Sequence, residues 1–123
     1  MPKKVLIVDD SSTMRKIVAR SLRQAGLEDC EIMEAGDGQE ALQFLASNPV
    51  DLILSDINMP NMDGLEFLKQ KSTLPAIQAI PVVMITTEAV ADVVEKVKGL
   101  GAKGSIKKPF TPEQIKETIG PLF

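Results

Sequence analysis

The chain has 123 residues, the length of one domain, with 44% hydrophobic and 25% charged residues, which excludes a disordered tail or a fibrous repeat. Fourteen basic against 17 acidic residues give a net charge of -3, so nucleic-acid binding is not expected, because little here would neutralise phosphates. With no histidine, a single cysteine and neither Trp nor Tyr, the chain cannot build a histidine triad, a histidine zinc site, an intrachain disulfide or an aromatic stacking platform.

Val5–Val8 is a continuous apolar run, as a strand buried on both faces should be. At four residues it is too short for a signal peptide, and no run approaches the ~20 residues of a membrane span, so no membrane insertion is expected. Met14, Ile17, Val18, Ser21 and Leu22 follow helical spacing, with Ser11 or Ser12 able to cap the helix and Gly26 able to end it. Cys30–Ala35 reads as a second strand carrying Glu31 and Glu34, and Gly36-Asp37-Gly38 as a turn. Ala41, Phe44 and Leu45 mark a second helix that stops before Asn48-Pro49. Leu52–Leu54 opens a third strand ending at Asp56. Asp63-Gly64-Leu65-Glu66 has the form of a capping box that starts a third helix. Val82–Ile85 is a fourth strand ending at Thr86, and Val90, Val93, Val94 and Val97 give a fourth helical stripe. Lys103–Lys107 is a fifth, more polar strand. Thr111-Pro112-Glu113-Gln114 then caps a last helix continued by Ile115 and Ile119.

Five strand–helix units with short connections predict an α/β fold: one flavodoxin-like, doubly wound, five-stranded parallel sheet with five helices, filling residues 1–123 as a single domain. The first, third and fourth strands are apolar throughout and want central places. The second and fifth carry charges and suit edges. Right-handed crossovers then favour the order 2-1-3-4-5.

In such sheets ligands bind beyond the carboxyl ends of the strands, where the order reverses. The ends of the first and third strands carry Asp9-Asp10 and Asp56, the fourth ends at Thr86, and the fifth near Lys107-Lys108. Taken singly, each has an ordinary explanation: a solvated turn, a helix cap, a surface lysine. Their joint placement at successive strand ends is what points to chemistry. Two carboxylates ~4 Å apart at an effective dielectric of ~20 repel by about 4 kcal/mol. A divalent cation with hard oxygen ligands relieves that repulsion, and two carboxylates plus phosphate oxygens and water suit Mg²⁺. A carboxylate can also attack phosphorus to form an aspartyl phosphate, with the Lys108 ammonium and the Thr86 hydroxyl offsetting charge on the phosphoryl oxygens.

Leu54-Ser55-Asp56-Ile57-Asn58-Met59-Pro60-Asn61-Met62-Asp63-Gly64, taken with Asp9-Asp10, Thr86 and Lys108-Pro109-Phe110, resembles the receiver domain of bacterial response regulators over essentially the whole chain. Asn58 and Asn61 resemble the chemotaxis members most. The resemblance implies that Asp56 is the phosphoacceptor. Asp10, Asp56 and the main-chain carbonyl of Asn58 would bind Mg²⁺ directly, and Asp9 through water. Lys108 would pair with the phosphoryl group, Thr86 would turn towards it on activation, and the Lys108–Pro109 bond would be cis. It further implies a monomeric, cytoplasmic signalling protein rather than an enzyme, charged by a partner histidine kinase and discharged by water or a phosphatase. With no effector domain after residue 123, output is expected through protein binding, as to a flagellar motor switch.

Three positions depart from the family pattern. Ser105 stands where receivers usually carry the aromatic residue that turns inward on activation, so that readout is lost. Thr87 follows Thr86 where a smaller residue is common and would narrow the approach of water. Ile57 replaces a frequent Trp. Within the family, a receiver excised from a longer regulator or a phosphorelay intermediate is the alternative. Outside it stands a small Mg²⁺-dependent aspartyl-phosphate phosphatase of the haloacid-dehalogenase type. That class wants Asp two residues after the nucleophile, where this chain has Asn58. A flavodoxin-type flavin module would need an uncharged phosphate loop in place of Asp9-Asp10.

Overall fold

The computed structural model describes residues 3–26, 30–57, 59–86, 98–107 and 110–122, with the side chains of residues 86 and 122 left out. Five strands, β1 (Lys4–Val8), β2 (Glu31–Ala35), β3 (Leu52–Asp56), β4 (Val82–Thr86) and β5 (Gly104–Lys107), form one parallel sheet in the order β2-β1-β3-β4-β5. The charged strands take the edges and the apolar ones the centre, as their sequences predict. Four α-helices occur among the described residues: α1 (Ser12–Gln24), α2 (Gly38–Leu45), α3 (Gly64–Ser72) and α4 (Pro112–Ile119). The valine stripe from Val90 to Val97, predicted as a helix, lies outside the described residues.

Alternation along the strands divides the core in two. Val5, Ile7, Leu52, Leu54, Val83, Ile85 and Ile106 point to one face, under Val18 and Leu22 of α1 and Ile115 and Ile119 of α4. Leu6, Val8, Ile53, Val82 and Met84 point to the other, under Ala41 and Leu45 of α2 and Phe67 and Leu68 of α3. Burial on both faces is why the central strands read as unbroken apolar runs rather than as alternating ones.

The helix ends follow their capping chemistry. Ser11, not Ser12, caps α1 by accepting from the Met14 N–H at 3.2 Å. Gly26 follows the last turn with φ +92°, a conformation that costs a residue with a Cβ far more. Thr111 and Gln114 form both halves of a capping box at α4. Asp63 forms only one half at α3, accepting from the Glu66 N–H at 2.9 Å. The predicted stripe of α1 needs one correction. Ile17 is 44% exposed, because Val18, Leu22 and Ala25 centre the buried face and leave Ile17 at its margin.

Candidate functional site

The register of the sheet lines up the ends of the strands. Val8 pairs with Ser55, so Asp9 and Asp56 leave their strands side by side. Asp56 pairs with Ile85, and Thr86 with Lys107, which carries the same edge on to β4 and β5. Each of Asp9, Asp10 and Asp56 offers a carboxylate oxygen, and the three oxygens lie within 4.8 Å of one another. Sequence positions 9, 10 and 56 thus converge as predicted.

The three carboxylates are held differently. Asp9 is buried. Its carboxylate accepts from the Ser11 N–H at 2.9 Å, its own N–H donates to the Ala35 carbonyl at 3.1 Å, and its carbonyl accepts from the Arg15 guanidinium at 2.6 Å. Asp56 is half-buried, with its Oδ1 accepting from the Ile57 N–H at 2.7 Å. Its carbonyl accepts from the Ser55 hydroxyl at 2.9 Å. Asp10 is exposed. Two carboxylates are therefore fixed by the backbone, and a third reaches in from solvent. An all-oxygen, triply anionic donor set is the chemistry a hard divalent cation takes, and the cluster can hold such an ion.

The loop after Asp56 is pinned from both sides. The Gly64 N–H donates to the Ile57 carbonyl at 2.8 Å. A Cβ at Gly64 would collide with the Asp56 carbonyl oxygen, with Met84 Cε at 2.6 Å and with Ile57 Cα at 2.9 Å, so glycine is required by close approach. Asn61, at φ +63°, donates from its side-chain amide to Asp37 Oδ2 at 2.8 Å and ties this loop to the start of α2. That bond, followed by the Glu40 N–H, holds the Asp37 carboxyl below its usual range.

Asn58, Lys108 and Pro109, and with the last two the predicted cis bond, lie outside the described residues, as does Thr87. Only the backbone of Thr86 is described, at the end of β4. Ser105 pairs with Met84 and is half-buried on the edge strand. Ile57 is buried against the core between the sheet and α3. Cys30 packs beside the core under α1. The sequence reading passed over Arg15 and Asn61. Arg15 sits one turn into α1, where long side chains lean back over the N-terminus, and that spacing is the signal that could have marked it. It also bonds Glu34 of β2 at 2.8 Å.

A doubly wound parallel sheet with three carboxylates gathered at its switch point defines a class of phosphate- and metal-handling α/β proteins. Comparison with known families narrows it: residues 5–120 match the response regulator receiver domain, and the chain belongs to that family of signalling proteins. It is 40% identical over 120 residues to the chemotaxis protein CheY-3 of Vibrio cholerae, covering 98% of this chain and 91% of the relative. It is 39% identical to the chemotaxis protein CheY of Pseudomonas aeruginosa, covering 98% of this chain and 95% of that one. Among solved structures, CheY4 of Vibrio cholerae superposes with a TM-score of 0.87 at 37% identity over the whole of both chains. The chain is thus a CheY-like receiver. Among the described residues no helix is long and apolar enough to cross a membrane.

Proposed function

We propose that this chain is a single receiver domain spanning residues 1–123 that works as a phosphorylation-operated switch in chemotaxis, with Asp56 as the phosphoacceptor. The observation that carries the reading is the meeting of the Asp9, Asp10 and Asp56 oxygens within 4.8 Å at the switch point of the sheet. A partner histidine kinase supplies the phosphoryl group, because this chain has no histidine of its own. The attacking group is a carboxylate oxygen of Asp56. Its new O–P bond forms as the P–N bond of the donor phosphohistidine breaks, and the electron pair returns to the imidazole nitrogen, which takes up a proton. Mg²⁺, when bound, would offset charge on the phosphoryl oxygens.

Within this reading Asp10, Asp56 and the Asn58 carbonyl would hold Mg²⁺, with Asp9 acting through water. Lys108 pairs with the phosphoryl group and Thr86 turns towards it. The Ile57 N–H orients the Asp56 carboxylate and the Ser11 N–H that of Asp9. Water, aided by a phosphatase, later cleaves the acyl phosphate. The charged form shifts a two-state equilibrium and is read by a protein effector such as the flagellar motor switch. With Ser105 on β5, that readout proceeds without an aromatic rotamer. A monomer in the cytoplasm fits this role.

The test is intact-mass spectrometry after incubation with acetyl phosphate and Mg²⁺. One added phosphoryl group is expected on the wild type and none on Asp56→Asn. Equal labelling of the variant refutes Asp56 as acceptor, and steady turnover of a generic phosphate ester would instead favour a phosphatase.

A further inference from the structure

Helix α3 buries Gly64, Phe67, Leu68 and Lys71, which are the positions of one helical face. The fourth of these, where the spacing calls for an aliphatic residue, is a lysine only 5% exposed. Its ammonium donates to the Gln78 carbonyl at 3.0 Å. No carboxylate pairs with it among the described residues. Burial, and then the nearby positive charge of Lys103, push the Lys71 amine below its usual range. An amine sequestered with no counter-ion is a cost that a sequence chosen for stability alone would avoid.

Lys71 also lines a cavity of about 370 Å³ with Leu68, Ser72, Gln78, Ala79 and Leu100. The cavity lies away from the acidic notch. Helix α3 starts against the Asp56 backbone and runs away from it, and the loop carrying Gln78 leads into the start of β4. Its lining is mixed, with the amine, Ser72 and Gln78 alongside Leu68, Ala79 and Leu100.

We propose that this cavity binds a small organic acid, with the carboxylate on the Lys71 ammonium and a short aliphatic tail against Ala79 and Leu100. The anion supplies the counter-charge that the fold withholds, and Lys103 adds a second positive charge close by. The tail follows from the lining, since Ala79 and Leu100 leave apolar surface open beside the amine and a purely polar anion would leave it facing water.

Butyrate is the probe, with butyramide as its neutral isostere. Butyrate is expected to shift the amide NMR signals of Leu68, Ser72 and Leu100 saturably, and to perturb the Lys71 side-chain signal with the same midpoint. Lys71→Met, which restores an apolar residue to the stripe and keeps the helix, should weaken the binding by about tenfold or more. Equal shifts with butyramide, an unchanged affinity in Lys71→Met, or no saturable shift with butyrate each overturn the proposal.

Discussion

Replacing Asp10 by Asn separates the two energies that the acidic notch balances. Among the described residues Asp10 is exposed and makes no hydrogen bond, so the substitution removes a charge and little else. Its oxygen lies within 4.8 Å of those of Asp9 and Asp56. At that separation one pair repels by about 3.5 kcal/mol at an effective dielectric of ~20 and by about 0.9 kcal/mol in water. Asp10 faces solvent, so the lower figure applies to each of its two neighbours, and salt brings the sum to about 1 kcal/mol. In a chelator, Asp10→Asn should therefore be the more stable protein, with a melting temperature roughly 4 °C above wild type. In excess Mg²⁺ the order should reverse. At a concentration about a hundredfold above its Kd, the ion stabilises the wild type by about 2.7 kcal/mol, whereas a variant with one anionic ligand fewer gains much less. Thermal unfolding followed by circular dichroism, with and without the ion, reads both effects. A variant no more stable than wild type in chelator, with an undiminished rise in Mg²⁺, would refute the picture of repelling carboxylates relieved by a cation.

Two further substitutions probe the loop behind the acceptor. Gly64→Ala pushes a methyl group into the Asp56 carbonyl and Met84, and should cost about 2 kcal/mol or more in urea unfolding, because backbone is what must give way; a loss under about 0.5 kcal/mol would contradict the close approach. Asn61→Gly keeps the positive φ but removes the bond to Asp37, so the Asp37 carboxyl should rise towards its ordinary 3.8 in a carboxyl NMR titration. A carboxyl whose folded pKa is depressed stabilises the fold above its unfolded pKa and loses that contribution as pH falls through the folded one. The stability gap between Asn61→Gly and wild type is thus expected at neutral pH and should shrink in acid; a gap that persists unchanged in acid would exclude the Asn61–Asp37 bond as its cause.

The strand order was legible because burial leaves a mark on composition. Val5–Val8 and Leu52–Leu54 carry no charge, Glu31 and Glu34 sit on a strand that tolerates them only at an edge, and the observed sheet obeys that division. The acidic notch was legible because strand ends are countable positions and register is set by the same hydrophobic pattern. What escaped are features decided by side-chain reach. The Arg15 guanidinium crosses from α1 to the Asp9 carbonyl, and Asn61 spans to Asp37 across 24 positions of sequence. Asn61 leaves no periodic trace, and Arg15 only its place one turn into α1. The capping motif at Asp63 shows the same limit: its spacing foretold the bond to the Glu66 N–H, while the return bond depends on where the Glu66 side chain goes.

Lys71 belongs to a different category, because periodicity exposes it as an anomaly. On a stripe of Gly64, Phe67 and Leu68, the residue one turn on is read as core, and a lysine there contradicts the pattern. The anomaly at the other end of the fold has the same form. Three carboxylates crowd an edge where asparagines would fit with less repulsion. In each case the chain keeps charge that folding alone disfavours, and the charges have opposite signs, so the ligands proposed for the two sites differ. The two sites therefore share one thermodynamic signature: a neutral substitution should stabilise the empty protein and abolish the gain on adding ligand. The ligand response is what distinguishes a binding group from a merely tolerated one: Lys71→Met loses the Gln78 bond in either case, whereas a lysine that only fills space gains nothing from butyrate before the change or after it.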